Sequence, residues 1–187
     1  NRKSPGLRRQ HATAVRAAGR IGSARLEGAK EGSKRLVFEP QQILPGHYRF
    51  TMGTAGSTTL VLQTIIPPLI QASGPSTILL EGGTHNPMAP PFGFIDRVFL
   101  PLLRRMGAKV EAELEKPGFY PKGGGKLRIQ IDPVPELRRL DLMTRGDIIR
   151  TQATAIVSNL PRAIANRELN VCRRKLSLKT NDLIIEE

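Results

Sequence analysis

Cysteine is reduced to a single residue, Cys172. No disulfide framework can hold the fold, and a reducing, cytoplasmic setting is the simplest expectation. No Cys-x-x-Cys or His-Glu-x-x-His spacing occurs, and Glu31, Glu39, Glu81 and Asp96 do not fall at metal-ligand spacing, so no metal ligands are read from this stretch. No apolar run reaches the ~18 residues of a membrane span, and the opening NRKSPGLRRQH lacks the apolar stretch of a signal peptide. A soluble protein with no membrane or secretory segment is expected. The first residue is Asn1 and the last stretch is NDLIIEE, so the sequence reads as a piece of something longer.

Negative charge is scarce too: 16 Asp and Glu face 29 Lys and Arg, a formal charge of +13. Such a surface attracts phosphate polymers. The excess is local, since residues 1 to 35 carry ten Lys and Arg against Glu27 and Glu31, while residues 51 to 100 hold only Glu81, Asp96 and Arg97. What is plentiful is core material: 39% of the 187 residues are hydrophobic, enough for one sizeable globular domain or one and a half small ones.

Periodicity predicts the elements. Residues 5–21 read as a helix with Pro5 in its first turn, Leu7, His11, Ala14 and Ala18 on one face, and Gly22 ending it. ARLEGA and KRLVFEP follow as a hairpin. HYRFTMG is a strand that breaks at Gly53 and Gly56 into the helix STTLVLQTIIPPLIQA, which Pro67 and Pro68 should kink. STILLEGG is a strand. FIDRVFLPLLRRMG places Phe94, Ile95, Val98, Phe99, Leu102, Leu103 and Met106 on one helical stripe. KVEAELE and GKLRIQI alternate in period two around PGFYPKGGG. A shift of 85 residues lays Asn1 on Asn86, Pro5 on Pro90 and Gly22 on Gly107, with a hairpin after each glycine. The chain thus reads as α/β, with 1–46 the second half of one β-α-β-α-β-β unit and 47–136 a whole one. In 137–187 the texture changes: DIIRTQATAIVS reads as a strand, LPRAIANRELNVCRRKL as a helix with Asn159 as cap and Pro161 in its first turn, and NDLIIEE as another strand.

Four stretches could carry chemistry. PGFYPKGGGKL is not a phosphate-binding P-loop, because Leu127 stands where Ser or Thr is needed and a strand rather than a helix follows; a glycine-rich hairpin turn is the preferred reading. Arg2, Lys3, Arg8, Arg9, Gln10 and His11 gather at a helix start, where cations and backbone amides together suit a phosphate. GTAGSTTLVLQT joins strand, glycine turn and helix, another anion-binding arrangement, and Gln63 is a polar side chain among Leu60, Val61, Leu62, Ile65 and Ile66. GGTHNPMAPP holds His85 and Asn86, with no carboxylate at a spacing that would make His85 catalytic.

In this order and spacing, RKSPGLRRQHATAV, GTAGSTTLVLQT, GGTHNPMAPP and GFYPKGGG resemble the RNA 3'-terminal phosphate cyclase family over almost the whole chain. GFYPKGGGKL is close to the family signature Gly-x-x-Pro-x-Gly-Gly-Gly-x-aliphatic; the departure is Pro117, where Arg or His is usual. The resemblance implies β-α-β-α-β-β units, each a four-stranded sheet with two helices, plus a small inserted α/β domain that starts within 137–187. It implies use of ATP and a divalent metal (Mg or Mn) to adenylate a catalytic His, transfer of AMP to an RNA 3'-phosphate, and closure to a 2',3'-cyclic phosphate. By position, Gln63 and Pro90 match nucleotide contacts, and Arg2, Gln10 and His11 match contacts to phosphates of ATP or the RNA end. The family's nucleophilic His and metal-associated Glu have no match here, and none of His11, His47 and His85 is expected to be that nucleophile. Partners implied are ATP and an RNA 3'-phosphate end; homo-oligomerisation stays open. The rival readings are a non-catalytic, cyclase-like ribosome-assembly factor and a plain basic RNA-binding module. Intact RRQH and LVLQT stretches favour the enzyme.

Overall fold

The chain folds as an α/β protein in two compact units, Asn1–Leu140 and Asp141–Glu187. The computed structural model describes residues 5–53 and 55–187, so Arg2 and Lys3 of the basic cluster lie outside the described residues. The first helix, α1 (Arg9–Ile21), starts four residues later than its periodicity suggests. Gly6 lies in the left-handed region at φ +103°, and the backbone of Leu7 is spent elsewhere: its N–H donates to Ser33 O at 2.9 Å and its carbonyl accepts from Gly32 N at 2.7 Å. A chain tied to a neighbouring turn cannot also close helical hydrogen bonds. The turn it is tied to joins β1 (Arg25–Glu27) and β2 (Val37–Glu39), an antiparallel pair that sets Leu26 opposite Phe38.

Alternation then builds a four-stranded sheet. β3 (His47–Thr51) leads through α2 (Thr58–Ile70) to β4 (Ser76–Gly82), parallel to β3 as a β-α-β crossover requires. β5 (Lys109–Lys116) and β6 (Gly125–Asp132) form an antiparallel hairpin whose second strand inserts beside β4, giving the order β3-β4-β6-β5. Tyr48, Phe50, Ile78, Leu80, Val110, Leu127, Ile129 and Ile131 line the inner face and join one core with Val61, Leu62, Ile65, Ile66, Leu69 and Ile70 of α2. α2 runs on across Pro67 and Pro68 to Ile70, so the prolines delete hydrogen-bond donors without ending the helix.

The second helical segment departs from the predicted stripe. α3 (Phe92–Phe94) passes into a π-helical turn at Ile95–Phe99 and then into α4 (Leu100–Arg105). Leu100 N–H donates to Ile95 O, one residue beyond the α-helical partner, and Pro101 has no N–H to offer Arg97. The wider turn rotates the face: Ile95 and Leu100 are fully buried, while Phe94 and Val98, predicted on the buried stripe, are exposed.

On the outer face of the sheet Arg49 clamps Glu81 through two hydrogen bonds, Nε–Oε2 at 2.8 Å and Nη2–Oε1 at 2.9 Å, and Thr51 adds a third at 2.9 Å. The hydrogen bond from Arg49, with lesser help from Thr51 and the nearby Lys126 charge, holds the Glu81 carboxyl below its ordinary range. A depressed carboxylate stabilises the fold above its unfolded value and stops doing so as pH falls through the folded value. Replacing Glu81 by Gln is therefore expected to lower the urea midpoint at neutral pH, with the difference from the parent shrinking on acidification below the ordinary carboxylate range.

The second unit is a small β-α-β arrangement: β7 (Ala153–Ile156), α5 (Arg162–Leu176), a short 3-10 turn at Thr180–Asp182, and β8 (Leu183–Glu186) parallel to β7. Ala155, Val157, Ala165 and Leu169 form its core. The strand predicted over 147–158 is reduced to four residues because β8 offers a ladder of only that length. Pro161, not Asn159, is the N-cap of α5, and Asn159 turns the chain at φ +56°.

Candidate functional site

The site is built where the starts of α1 and α2 meet. Gln10, in the first turn of α1, accepts a hydrogen bond through Oε1 from the backbone N–H of Ser57 at 3.1 Å. Ser57 is the N-cap of α2, and its Oγ accepts from Leu60 N at 3.3 Å. Thr58 N–H donates to Gly83 O at 2.9 Å, Gly83 N–H donates to Gly56 O at 2.8 Å, and the Asn86 side-chain amide donates to Ala55 O. The glycine turn expected to offer its amides to an anion has thus committed those of Ser57, Thr58 and Leu60 within the protein. Its role is to present a fixed surface.

The glycine-rich connection between β5 and β6 closes the other side. Gly118 O accepts from Thr84 N at 2.8 Å and from His85 N at 3.1 Å, while Gly118 N–H donates to Thr84 Oγ1 at 2.9 Å. The Phe119 ring stacks on His85, centroids 4.8 Å apart and planes 18° from parallel. Gly123 and Gly124 turn the chain in the left-handed region, φ +70° and +74°, as a hairpin connection of this kind needs. Tyr120 and Pro121 are thereby carried to the wall of a cleft of about 620 Å³ that they share with Gln10, Gly56, Ser57 and Asn86. Sequence reasoning read this loop as a hairpin turn and missed its place in the wall. Asn86 Oδ1 is buried at the same place without a hydrogen-bond partner among the described residues, an acceptor that calls for a donor.

The remaining sequence-predicted residues divide around this cleft. Pro90 receives Thr59 Oγ1 on its carbonyl at 2.7 Å, which fixes it beside the first turn of α2. Gln63 follows Thr59 by one helical turn and shares its face; it is half-buried and outside the cleft wall. His11 accepts Arg8 N–H on Nδ1 at 3.2 Å and lines a different, apolar groove of about 650 Å³ with Phe38, Thr64 and Pro68. Adjacent residues of α1 therefore serve two cavities. His85, with Nδ1 at 2.8 Å from Thr84 Oγ1 and its ring on Phe119, holds the loop.

Among the described residues no three His, Cys, Asp or Glu gather to hold a metal ion, so the divalent ion implied by the resemblance finds no ligand set here. The cleft has the size of a small-molecule site: its volume lies within the ~300–1,000 Å³ usual for such sites. No helix among the described residues is long and apolar enough to cross a membrane.

Comparison with known proteins gives the family. A family model described as RNA 3'-terminal phosphate cyclase matches residues 1–184. A protein of that name from Koribacter versatilis (strain Ellin345) is 49% identical over 178 residues, 95% of this chain and 50% of the relative. One from Ectopseudomonas mendocina (strain ymp) is 54% identical over 168 residues, 90% of this chain and 49% of the relative. A third, from Pseudomonas fluorescens, is 49% identical over 182 residues, 97% of this chain and 53% of the relative. The chain spans about half the length of these relatives. With the signature loop, the Gln10 cleft wall and the sheet that carries them all inside the matched region, the chain belongs to the RNA 3'-terminal phosphate cyclase family.

Proposed function

We propose that this chain supplies the nucleotide- and RNA-end-binding part of an ATP-dependent cyclase. In the reaction, a His nitrogen attacks the α-phosphorus of ATP and expels pyrophosphate. The resulting AMP passes to an oxygen of the RNA 3'-phosphate. The neighbouring 2'-oxygen then attacks the 3'-phosphorus, gives up its proton, and expels AMP to leave the 2',3'-cyclic ester. Adenylation is needed because a phosphate monoester has no leaving group of its own. When bound, a divalent ion would offset phosphate charge; no residue described here is assigned to it.

The observation that carries this reading is the cleft between Gln10 and the signature loop, in a chain matched to the family along nearly its whole length. The Gln10 amide has two ends with separate tasks. Oε1 is held by Ser57 N–H, which leaves Nε2 to donate to an anionic oxygen of ATP or of the RNA end. By family position Gln63 and Pro90 are assigned to the nucleotide, Pro90 being held beside α2 by Thr59, and Arg2, Gln10 and His11 to phosphates of ATP or of the RNA end, His11 from its own groove rather than from the cleft. The resemblance gives the nucleophile's place to none of His11, His47 and His85; His11 caps α1 and His85 stacks on Phe119. The single unpaired Cys172 suits a reducing cytoplasm.

The test is adenylation. The full-length protein, incubated with α-labelled ATP and a divalent metal, should form an acid-labile protein-AMP adduct. Absence of an adduct would sink the enzyme reading. Gln63→Ala is expected to slow adduct formation by about tenfold, the value of one neutral hydrogen bond of ~1.4 kcal/mol; an unchanged rate removes Gln63 from the site.

A further inference from the structure

The turn between β1 and β2 is fastened to α1 and to the segment before it with more ties than a hairpin needs. Besides the paired hydrogen bonds of Leu7 with Gly32 and Ser33, Arg16 Nη1 donates to Ala29 O at 3.3 Å and Arg9 pairs with Glu31 at 3.6 Å. Gly6 lets the two backbones touch: a Cβ there would sit 2.4 Å from Gly32 O. On this fixed turn stand Lys30, Lys34 and Arg35, all exposed and none paired with a carboxylate among the described residues. Other cations nearby are engaged, Arg25 by Glu27 and Glu39 at 2.6 and 2.7 Å, and Arg20 over the Tyr48 ring at 5.5 Å.

A shallow cavity of about 320 Å³ adjoins these cations, floored by Pro5, Leu7 and Leu36 and edged by Lys34 and Arg35. Leu36 is 40% exposed, an apolar side chain that the local fold does not use. A rigid basic rim around an apolar floor is what a splayed nucleotide takes, with phosphates on the cations and a base face on the aliphatic surface. Leu7 is three residues from Gln10, so at ~3.5 Å per residue the platform lies within about 11 Å, along the chain, of the cleft wall.

We infer that this turn is a docking platform for the single-stranded RNA that precedes the 3'-terminal phosphate, with Lys30, Lys34 and Arg35 on backbone phosphates and Leu36 under a base. The inference rests on the reading that the RNA end enters the Gln10 cleft. It separates two tasks: the cleft recognises the end, and the platform recognises that the end belongs to a polymer.

The experiment is equilibrium binding of full-length protein to a fluorescent, single-stranded, 3'-phosphorylated RNA, followed across salt concentration, beside a 3'-phosphorylated dinucleotide too short to span both places. The triple variant Lys30→Gln, Lys34→Gln, Arg35→Gln changes only exposed side chains, so its urea midpoint should match the parent. It is expected to bind the long RNA about tenfold or more weakly at low salt, with a log-log salt slope smaller by about 2, at ~0.7 per single-strand phosphate contact. Dinucleotide binding and ATP adduct formation should be unchanged. Leu36→Ala should weaken long-RNA binding and leave the salt slope alone. Equal affinity and slope for parent and triple variant would overturn the platform, as would equal losses on long RNA and dinucleotide. A parent protein that binds through the platform but forms no adduct and cyclises nothing would sink the enzyme reading and leave the platform standing.

Discussion

Gly118→Ala is expected to destabilise the fold by about 3 kcal/mol and to abolish measurable adenylation in the full-length protein. A Cβ built on Gly118 would lie 2.4 Å from Gly125 N and 2.5 Å from Gly82 O. Both are backbone atoms of paired strands, since Gly82 stands opposite Gly125 in the β4–β6 ladder, so neither can swing aside as a side-chain tip would. Relief requires moving the loop, which breaks the Gly118 hydrogen bonds to Thr84 and His85 and withdraws Tyr120 and Pro121 from the cleft wall. Gly124→Ala is the control: nothing lies within 4 Å of its Cβ, and only its φ of +74° resists the change, worth about 1–2 kcal/mol. Urea unfolding of both variants checks the argument. If Gly124→Ala costs as much as Gly118→Ala, close backbone approach is not what the signature glycine provides.

That pair also shows where the sequence was legible. The strands of the central sheet could be read because each alternates at period two, as GKLRIQI does with Leu127, Ile129 and Ile131 inside. The strand-turn-helix from His47 to Ile70 was readable for the same local reason. Errors came where a non-local tie or a single proline overrode the pattern. The start of α1 moved because Leu7 bonds to a turn some 25 positions away, and the 94–106 stripe shifted because Pro101 leaves a π turn in place of an α turn. At the site, the residue types were legible through the family resemblance, but their grouping was not. Helix periodicity does not say that Gln10 and His11 open onto different cavities. Nor does the loop's composition show that it crosses to Thr84, a contact 34 residues apart in sequence. Nothing in GGTHNPMAPP distinguishes Asn86 from its neighbours; only its bond to Ala55 and its buried, unpartnered oxygen single it out.

Gln10 yields the sharper functional test because its two amide ends can be changed separately. Gln10→Ala removes the acceptor for Ser57 N–H in a residue only 1% exposed, and an unsatisfied buried donor costs about 1–3 kcal/mol of stability. Gln10→Glu keeps an oxygen in the same place, now charged, at the N-terminus of α2 where negative charge is favoured. Its urea midpoint should equal or exceed the parent's. What the Glu variant loses is the Nε2 donor, and what it gains is a negative charge facing phosphate. Like charges ~4 Å apart repel by about 1 kcal/mol in water and about 4 kcal/mol near a protein surface, so about 2 kcal/mol, or ~30-fold weaker ATP binding, is expected. The prediction is therefore a crossover: Ala loses stability, and Glu stays folded while binding ATP poorly. An ATP affinity for Gln10→Glu equal to the parent's would place Gln10 outside the phosphate contacts and leave it only the task of holding Ser57.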